Sequence, residues 1–312
     1  TQDKLIVDTF KPIISIMGPT NTGKTHLAIS LAEKLEAEII SVDSVQVYKY
    51  ADIGSNKLKL NFLKDPPHHL IDAIEPEDSY SVGNFRNDVL KIINKLDKKN
   101  KNVILVGGTM MYFNSLFKGI SDLPENNIEV RKQLDEEEKK YGINFLYQRL
   151  QEVDEDSALQ IHKNDQQRIK RSLGIFIQTG HTHSHLKKKN VFNPLENRKF
   201  LNFAIVPEDR KIFKKKLNER FLKMLEEGLI EETKFLIERF SKNIKLLNSV
   251  GYKQVVEYLE EKISHEEMIE KATNANYQLS KRQITWLKKF EMTEIFKTNQ
   301  SNMVIKILNY LE

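Results

Sequence analysis

The pattern of apolar and polar positions separates the chain into stretches of different texture. Residues 13–17 form an apolar-rich run that stops at Gly18-Pro19 and predicts a strand. Lys24 opens a helix with Leu27, Ala28, Leu31, Ala32 and Leu35 on one face. Residues 38–42 predict a second strand, which ends at Asp43. The segment from Gln46 to Pro67 is polar and punctuated by Gly and Pro, so it reads as loop, with a brief strand at 69–71. A helix over 82–96 turns Phe85, Val89, Ile92, Ile93 and Leu96 inward. The run 102–106 is almost wholly apolar, as suits a strand covered on both faces of a parallel sheet, and it ends in Gly107-Gly108-Thr109. Strands alternating with helices predict an α/β fold with a parallel sheet.

Beyond Pro124 the texture changes. Residues 125–185 read as helical and charged, and 190–199 as an irregular basic linker. One strand returns at 200–206 and is closed by Pro207. Its placement implies that the chain re-enters the first sheet, which makes the middle segment an insertion. The division is then 1–120 for the first part of the α/β core, 121–200 for a mostly helical insertion domain, and 201–312 for the returning strand and a helical C-terminal region. In that last part, Phe213, Leu217, Phe221 and Leu225 mark a helix over 208–227 with Gly228 as its C-cap. Helices near 231–240, 251–260 and 265–290 follow, and no further strand is predicted.

Composition narrows the function classes. The absence of cysteine excludes disulfides, cysteine-ligated metals and thiolate catalysis. No apolar run approaches the roughly 18 residues of a membrane span, and the first ten residues lack a signal-peptide core. A cytoplasmic protein with no membrane partner is the expectation. A net charge of +5 permits an anionic partner without demanding one.

The strongest chemical signal is Gly18-Pro19-Thr20-Asn21-Thr22-Gly23-Lys24-Thr25, which fits G-x-x-x-x-G-K-[ST] between a strand and a helix. Its glycines allow a tight turn whose N–H groups surround an anion, and the helix N-terminus adds favourable field. Lys24 supplies positive charge and Thr25 a hydroxyl for Mg²⁺ or a phosphate oxygen. The run 103–106 lacks the terminal acid with which ATPases hold Mg²⁺, and no guanine-reading N-K-x-D is present. Asp43 and Thr109 end neighbouring strands, so both belong at the ligand crevice of such a sheet. There Asp43 can accept a proton or cap a turn, and Thr109 can donate to a phosphate. Trp286 and Phe290 read as core, and His181, His183 and His185 as a polar loop.

Several blocks together resemble the bacterial-type tRNA dimethylallyltransferase (tRNA isopentenyltransferase) family. They are the phosphate loop, Asp43-Ser44-Val45-Gln46-Val47-Tyr48, Asp52-Ile53-Gly54-Ser55, Pro67-His68-His69-Leu70-Ile71-Asp72, Val106-Gly107-Gly108-Thr109, Gly251-Tyr252-Lys253-Gln254 and Gln278–Trp286. The resemblance implies a P-loop NTPase-like core and transfer of a dimethylallyl group from dimethylallyl diphosphate to N6 of adenosine 37 in tRNAs reading codons that begin with U. It implies Asp43 as the base, and Thr109 at the bridging oxygen. Diphosphate would be bound by Gly18, Thr20, Asn21, Thr22, Gly23, Lys24, Thr25 and Arg131, with Mg²⁺ at Thr25. The tRNA anticodon arm would meet Ser44, Gln46, Asp165, Arg168, Gln278, Lys281, Arg282 and Gln283. A monomer is expected. Asn276-Tyr277 stands where the family usually carries Thr-Arg, which removes one positive charge.

The chemistry agrees with that expectation. An exocyclic adenine amine is a weak nucleophile, so the allylic carbon must turn cationic while diphosphate departs, and a phosphate cradle stabilises the charge that leaves. Two other readings fit parts of the sequence. A P-loop kinase of a small metabolite would use Arg168 and Arg171 as a lid. A non-catalytic RNA-binding protein would explain the basic helix 208–227 and Lys187-Lys188-Lys189, and leave the phosphate loop without a task.

Overall fold

The computed structural model describes residues 10–58, 63–121, 123–124, 127–189 and 191–312. The expected loop at 59–62 and the first linker residue, Asn190, lie outside them. The chain divides into two compact units, one formed by the segments up to Ser115 and from Asn197 to Glu312, the other by Leu116–Glu196. The insertion expected at 121–200 thus corresponds to a unit that begins and ends a few residues earlier.

The first unit is built on six parallel strands. They are β1 (Ile13–Met17), β2 (Ala37–Val42), β3 (His68–His69), β4 (Asn102–Gly107), β7 (Phe200–Val206) and β8 (Glu294–Lys297), in the order β3-β2-β4-β1-β7-β8. Strand β4 lies between β2 and β1, with Gly107 level with both Val42 and Met17. Strand β7 pairs with β1 from Ile13↔Phe200 onward, so the chain does return to the first sheet. The sheet is apolar on both faces because helices cover it. Helix α1 (Lys24–Leu35) lays Leu27, Ala28 and Leu31 against Ile14, Ile16, Ile39 and Ile104, and Ile307 of the last helix joins the same core. Helix α2 (Val82–Lys98) buries Phe85, Val89, Ile93 and Leu96 and is opened by a Ser81–Asn84 capping box.

Strand β8 corrects the expectation of an all-helical C-terminus. Its four residues are too few to show a period, and three of them are not buried. It is a short edge strand, held in parallel register to Phe203–Val206. A helix, Met303–Asn309, follows it. Gly228 is also reassigned. Helix α9 (Arg210–Glu226) ends at Glu227, and Gly228, at φ 105°, is the N-cap of helix α10 (Leu229–Arg239). Helices α11 (Tyr252–Leu259) and α12 (His265–Leu287) complete this unit.

The second unit is helical apart from a two-residue antiparallel pair, β5 (Ile120–Ser121) with β6 (Val191–Phe192). Leu134, Leu146, Leu150, Ile169 and Leu173 form its core. They come from α4 (Ile128–Tyr141), α5 (Ile143–Val153) and α7 (Gln166–Thr179), while α3 (Met110–Lys118), α6 (Glu155–Gln160) and α8 (His183–Lys189) precede β5, follow α5 and follow α7.

One buried ion pair fastens the return into the sheet. Arg198, two residues before β7, makes a two-pronged contact with Asp97 at the end of α2, both bonds 2.8 Å, and also donates to the Lys11 carbonyl. Its side chain is 6% exposed and that of Asp97 is 15% exposed. Arg198→Ala strands the buried carboxylate and is expected to lower the free energy of unfolding by about 3 kcal/mol. A urea midpoint unchanged from the wild type would contradict this.

Candidate functional site

Parallel strands bring their carboxyl ends to one edge, and here β1, β4 and β2 end side by side. The loops after them carry Gly18–Thr25, Thr109 and Asp43. The glycines at this edge answer to steric need. A Cβ on Gly18 would stand 2.3 Å from the Ile205 carbonyl oxygen, and one on Gly107 2.0 Å from that of Val42. Gly23, at φ 91°, turns the chain into α1 as its N-cap. Thr22 Oγ1 donates to the Pro19 carbonyl at 2.9 Å, which closes the loop on itself. Asn21 is exposed, and its Nδ2 donates to Lys216 in α9 at 3.2 Å. Thr20 is half-buried, and Thr25 is exposed on the first turn of α1.

Lys24 is buried, and its ammonium donates to the Pro19 carbonyl. Burial pulls it down from the usual lysine range to about 7, with Asp43 opposing the shift and Arg220 reinforcing it. An anion bound in the loop would favour the charged form of this lysine.

Asp43 is both a turn cap and a reactive candidate. Its Oδ1 accepts from the Val45 and Gln46 amides at 2.8 and 3.1 Å. This is an Asx turn, and Oδ2 forms no hydrogen bond among the described residues. Thr109 is tied to the same turn. Its amide donates to Val42 at 3.2 Å, and its Oγ1 accepts from the Ser44 amide at 3.1 Å. The Thr109 proton is left only a 3.5 Å approach to Ser44 Oγ, so it is available to a better acceptor.

Arg220 is the functional candidate that the sequence concealed. It was one of seven cations on helix 208–227, yet its Nε is buried with no hydrogen-bond partner. Burial lowers its pKa, against the pull of Asp43. A buried donor without an acceptor beside a phosphate loop is a place for an anion's oxygen. A signal was there to read: Arg220 lies on the apolar stripe of Phe213, Leu217, Phe221 and Met224. Each other cation of α9 is exposed.

Other predicted residues fall into different settings. Gln46 spends its side chain inside the protein, accepting from Ser41 at 3.0 Å and donating to the Ser55 carbonyl at 3.3 Å. Gln283 donates to the Gly108 carbonyl at 2.8 Å, and its Oε1 is buried without a partner. Ser44, Gln278, Lys281 and Arg282 are exposed. Arg131, Asp165 and Arg168 belong to the second unit. Arg131 is exposed on α4, Asp165 caps α7, and Arg168 pairs with Asp165 at 3.4 Å. Trp286 is half-buried beside buried Phe290. His183 bonds Ser172 at 2.8 Å, and no group of three metal-ligating side chains occurs among the described residues. No helix among them is long and apolar enough to cross a membrane.

A groove of about 590 Å³ separates α9 from α12. Arg210, Lys211, Lys214 and Lys215 line one wall, and Glu266, Glu270 and Tyr277 line the other. Lys214 and Lys281 both lie near the Tyr277 ring, 6.0 and 5.2 Å from its centroid.

Comparison with known proteins fits this edge. The family model described as IPP transferase matches residues 46–290. The chain belongs to the IPP transferase family. It is 41% identical over 306 residues to a protein of Francisella philomiragia named tRNA dimethylallyltransferase, spanning 96% of this chain and 99% of the relative. A protein of Francisella tularensis subsp. novicida with the same name is 41% identical over 303 residues, 96% of this chain and 98% of its own. Among solved structures, the full-length tRNA isopentenylpyrophosphate transferase of Bacillus halodurans superposes with a TM-score of 0.69 at 29% identity, covering 96% and 95% of the two chains. A eukaryotic dimethylallyltransferase acting on tRNA gives a TM-score of 0.78 at 26% identity, covering 96% of this chain and 78% of that one. The core is therefore P-loop NTPase-like, and the chain is an enzyme.

The depressed Lys24 gives a sign to the pH dependence of anion binding. Below about pH 7 the ammonium is already charged. Above it, binding diphosphate must take up a proton, so affinity falls as pH rises, by about tenfold per unit at the steepest. Titration calorimetry with inorganic diphosphate in buffers of different ionisation enthalpy measures this uptake. Lys24→Met removes that share and leaves only the ligand's own titration. Equal proton uptake by the two proteins would contradict the assignment.

Proposed function

We propose that this enzyme transfers the dimethylallyl group of dimethylallyl diphosphate to N6 of adenosine 37 in tRNAs that read codons beginning with U. One observation carries the reading. Buried Lys24 and half-buried Arg220, with its buried Nε, act on an aspartate that has one carboxylate oxygen uncommitted, at the mouth of a phosphate loop. An anion cradle beside a proton acceptor suits displacement of diphosphate by an amine. Family membership and the names of the relatives supply the substrate class.

In this mechanism the loop amides of Gly18–Thr25, with Lys24 and Arg220, hold diphosphate, and Thr109 donates its free proton to a diphosphate oxygen. The C–O bond of the donor breaks as its electrons pass to diphosphate, and the C–N bond forms from the adenine amine. The amine's proton passes to Asp43 Oδ2. Oδ1 meanwhile keeps the turn closed, so the base is held in place without being consumed as a cap. The adenosine leaves its stack to reach this edge, at a cost of about a few kcal/mol. A phosphate-bound Mg²⁺ would keep several waters and take few protein ligands, and the exposed Thr25 hydroxyl at the loop is one such donor. Thr25 would hold it, and it would neutralise charge on the departing diphosphate. We assign the exposed Ser44, Arg131, Arg168, Gln278, Lys281 and Arg282 to substrate contact, and Asp165, Gln46 and Gln283 to holding their own elements. The α9–α12 groove continues the RNA face of α12 with phosphate-binding charge. A single chain supplies the whole cradle, and a monomer is the working form.

The test uses unmodified tRNA, dimethylallyl diphosphate and Mg²⁺, followed by nucleoside mass analysis. The wild type adds one C5H8 unit to adenosine. Asp43→Asn preserves an acceptor for the turn amides but not the base, and its kcat is expected to fall by about 10²-fold or more. Full activity in this variant would remove Asp43 from proton transfer. No adduct with the wild type, alongside ATP-dependent phosphorylation of a metabolite, would favour a kinase.

The groove generates a separate expectation. The double variant Lys214→Ala, Lys215→Ala raises KM for tRNA and shallows its dependence on log salt by about one to two. KM for the diphosphate donor stays the same. An unchanged salt slope would show that RNA does not use this groove.

A further inference from the structure

The loop after Asp43 is held from outside by a carboxylate. Glu232 on α10 accepts from the Asp52, Ile53 and Gly54 amides at 3.0, 2.8 and 3.0 Å. The Tyr252 hydroxyl, at the start of α11, donates to it at 2.5 Å. Four donors, two to each oxygen, match the roughly four lone-pair sites of one carboxylate. Three successive backbone N–H groups turned toward one anion make a nest. Tyr252 is fully buried, and Gly54 lies flat against it, since a Cβ there would stand 2.2 Å from the ring.

The clamp is joined to the catalytic turn by an unbroken series of contacts. The residue after Gly54 is Ser55, whose carbonyl accepts from Gln46 Nε2 at 3.3 Å. Gln46 Oε1 is held by Ser41 in β2, and the Gln46 amide is one of the two that bind Asp43 Oδ1. Ser55 also donates to the Ala51 carbonyl, so residues 51–55 form a closed turn. Glu232 touches none of the groups placed in the transfer chemistry.

We infer that Glu232, braced by Tyr252, is a positioning residue for the reaction, fixing the 52–55 turn against Gln46 and through it the orientation of Asp43. This rests on the transferase reading given above. The carboxylate is required as such. A glutamine keeps one oxygen and turns an NH₂ donor toward the donors of the nest. Tyr252→Phe keeps the ring packed against Gly54 and removes only the brace.

The experiment compares Glu232→Gln, Tyr252→Phe, Gln46→Ala and the double variant Glu232→Gln, Gln46→Ala. Each is first checked for native circular dichroism and a cooperative melt. Glu232→Gln is expected to lower kcat about tenfold, as for a misaligned reacting group. KM for dimethylallyl diphosphate should stay within about twofold, because among the described residues no hydrogen bond joins the phosphate loop to the series. Tyr252→Phe shows the same split in weaker form. The double variant should be little slower than the worse single one, since both act through one series of contacts. Additive losses, or a loss carried by KM for the donor, would overturn the proposal. Hydrogen exchange provides a readout independent of the reaction. Amides 52–54 and also 45–46 should exchange faster in Glu232→Gln than in the wild type. Wild-type protection at 45–46 would overturn the link to Asp43, even if the chain proved to catalyse something else. Absence of prenyl transfer in the wild type with faster exchange at 45–46 would instead keep the link and dismiss the transferase reading.

Discussion

The site depends on the close approach of β2 and β4 at Val42 and Gly107. No side chain fits at Gly107, because a Cβ there would collide with the Val42 carbonyl at 2.0 Å. That same carbonyl accepts from the Thr109 amide two residues on. The chain therefore leaves β4 pressed against the end of β2, and Thr109 receives the Ser44 amide as it does so. Asp43 lies between Val42 and Ser44, so the two bonds fix its backbone on both sides. A similar constraint operates at β1, where Gly18 passes close to Ile205 in β7. Backbone packing, rather than side-chain contact, brings the phosphate loop, Asp43 and Thr109 to one edge.

Electrostatics at that edge are left incomplete in a way that folding alone does not reward. Lys24 and the Nε of Arg220 are buried, and among the described residues Asp43 is the carboxylate that acts on both. Burying a donor such as Arg220 Nε without a partner costs about 1–3 kcal/mol. Local rules broken in a sequence that otherwise obeys them tend to mark function. A diphosphate bound as proposed would relieve both defects, and part of its binding energy would come from cations that the fold already holds in place. Asp43 keeps the opposite balance. One of its oxygens satisfies the backbone, and the other is open to a proton.

Much of this was legible in the sequence because it follows from periodicity and one strong pattern. The run 13–17, the glycines at 18 and 23, and the return at 200–206 predicted the strands and the turn into the first helix, and strand order then brought Asp43 and Thr109 together. What escaped was information that periodicity does not carry. Strand β8 is four residues at an edge, too short for a period. Gly228 sits between two helices, and sequence does not say which one it caps. Arg220 was hidden among other cations, though its place on the apolar stripe set it apart. The resemblance put Gln46 and Gln283 at the tRNA, and periodicity does not show that their amides also bond Ser55, nine residues on, and Gly108, far back in the chain. Glu232 and Tyr252 are twenty residues apart on different helices, and only the fold makes them one clamp.

The end of β4 also bears on which chemistry the cradle serves. An ATP-hydrolysing or phosphoryl-transferring P-loop protein needs an acid near the phosphates to hold its metal. In this chain the corresponding strand ends in two glycines, and the space over the second is taken. A Cβ on Gly108 would stand 2.6 Å from Gln283 Nε2, which donates to the Gly108 carbonyl, and 3.2 Å from the Gly18 carbonyl. A carboxylate could enter at 108 only by displacing the Gln283 amide from α12. The strand end carries no acid, and the space over Gly108 is occupied by the Gln283 amide. In the proposed reaction this edge would bind the anion through the loop, Lys24 and Arg220, with a separate base at Asp43. That division would suit a reaction in which diphosphate is the leaving group and the proton is lost elsewhere.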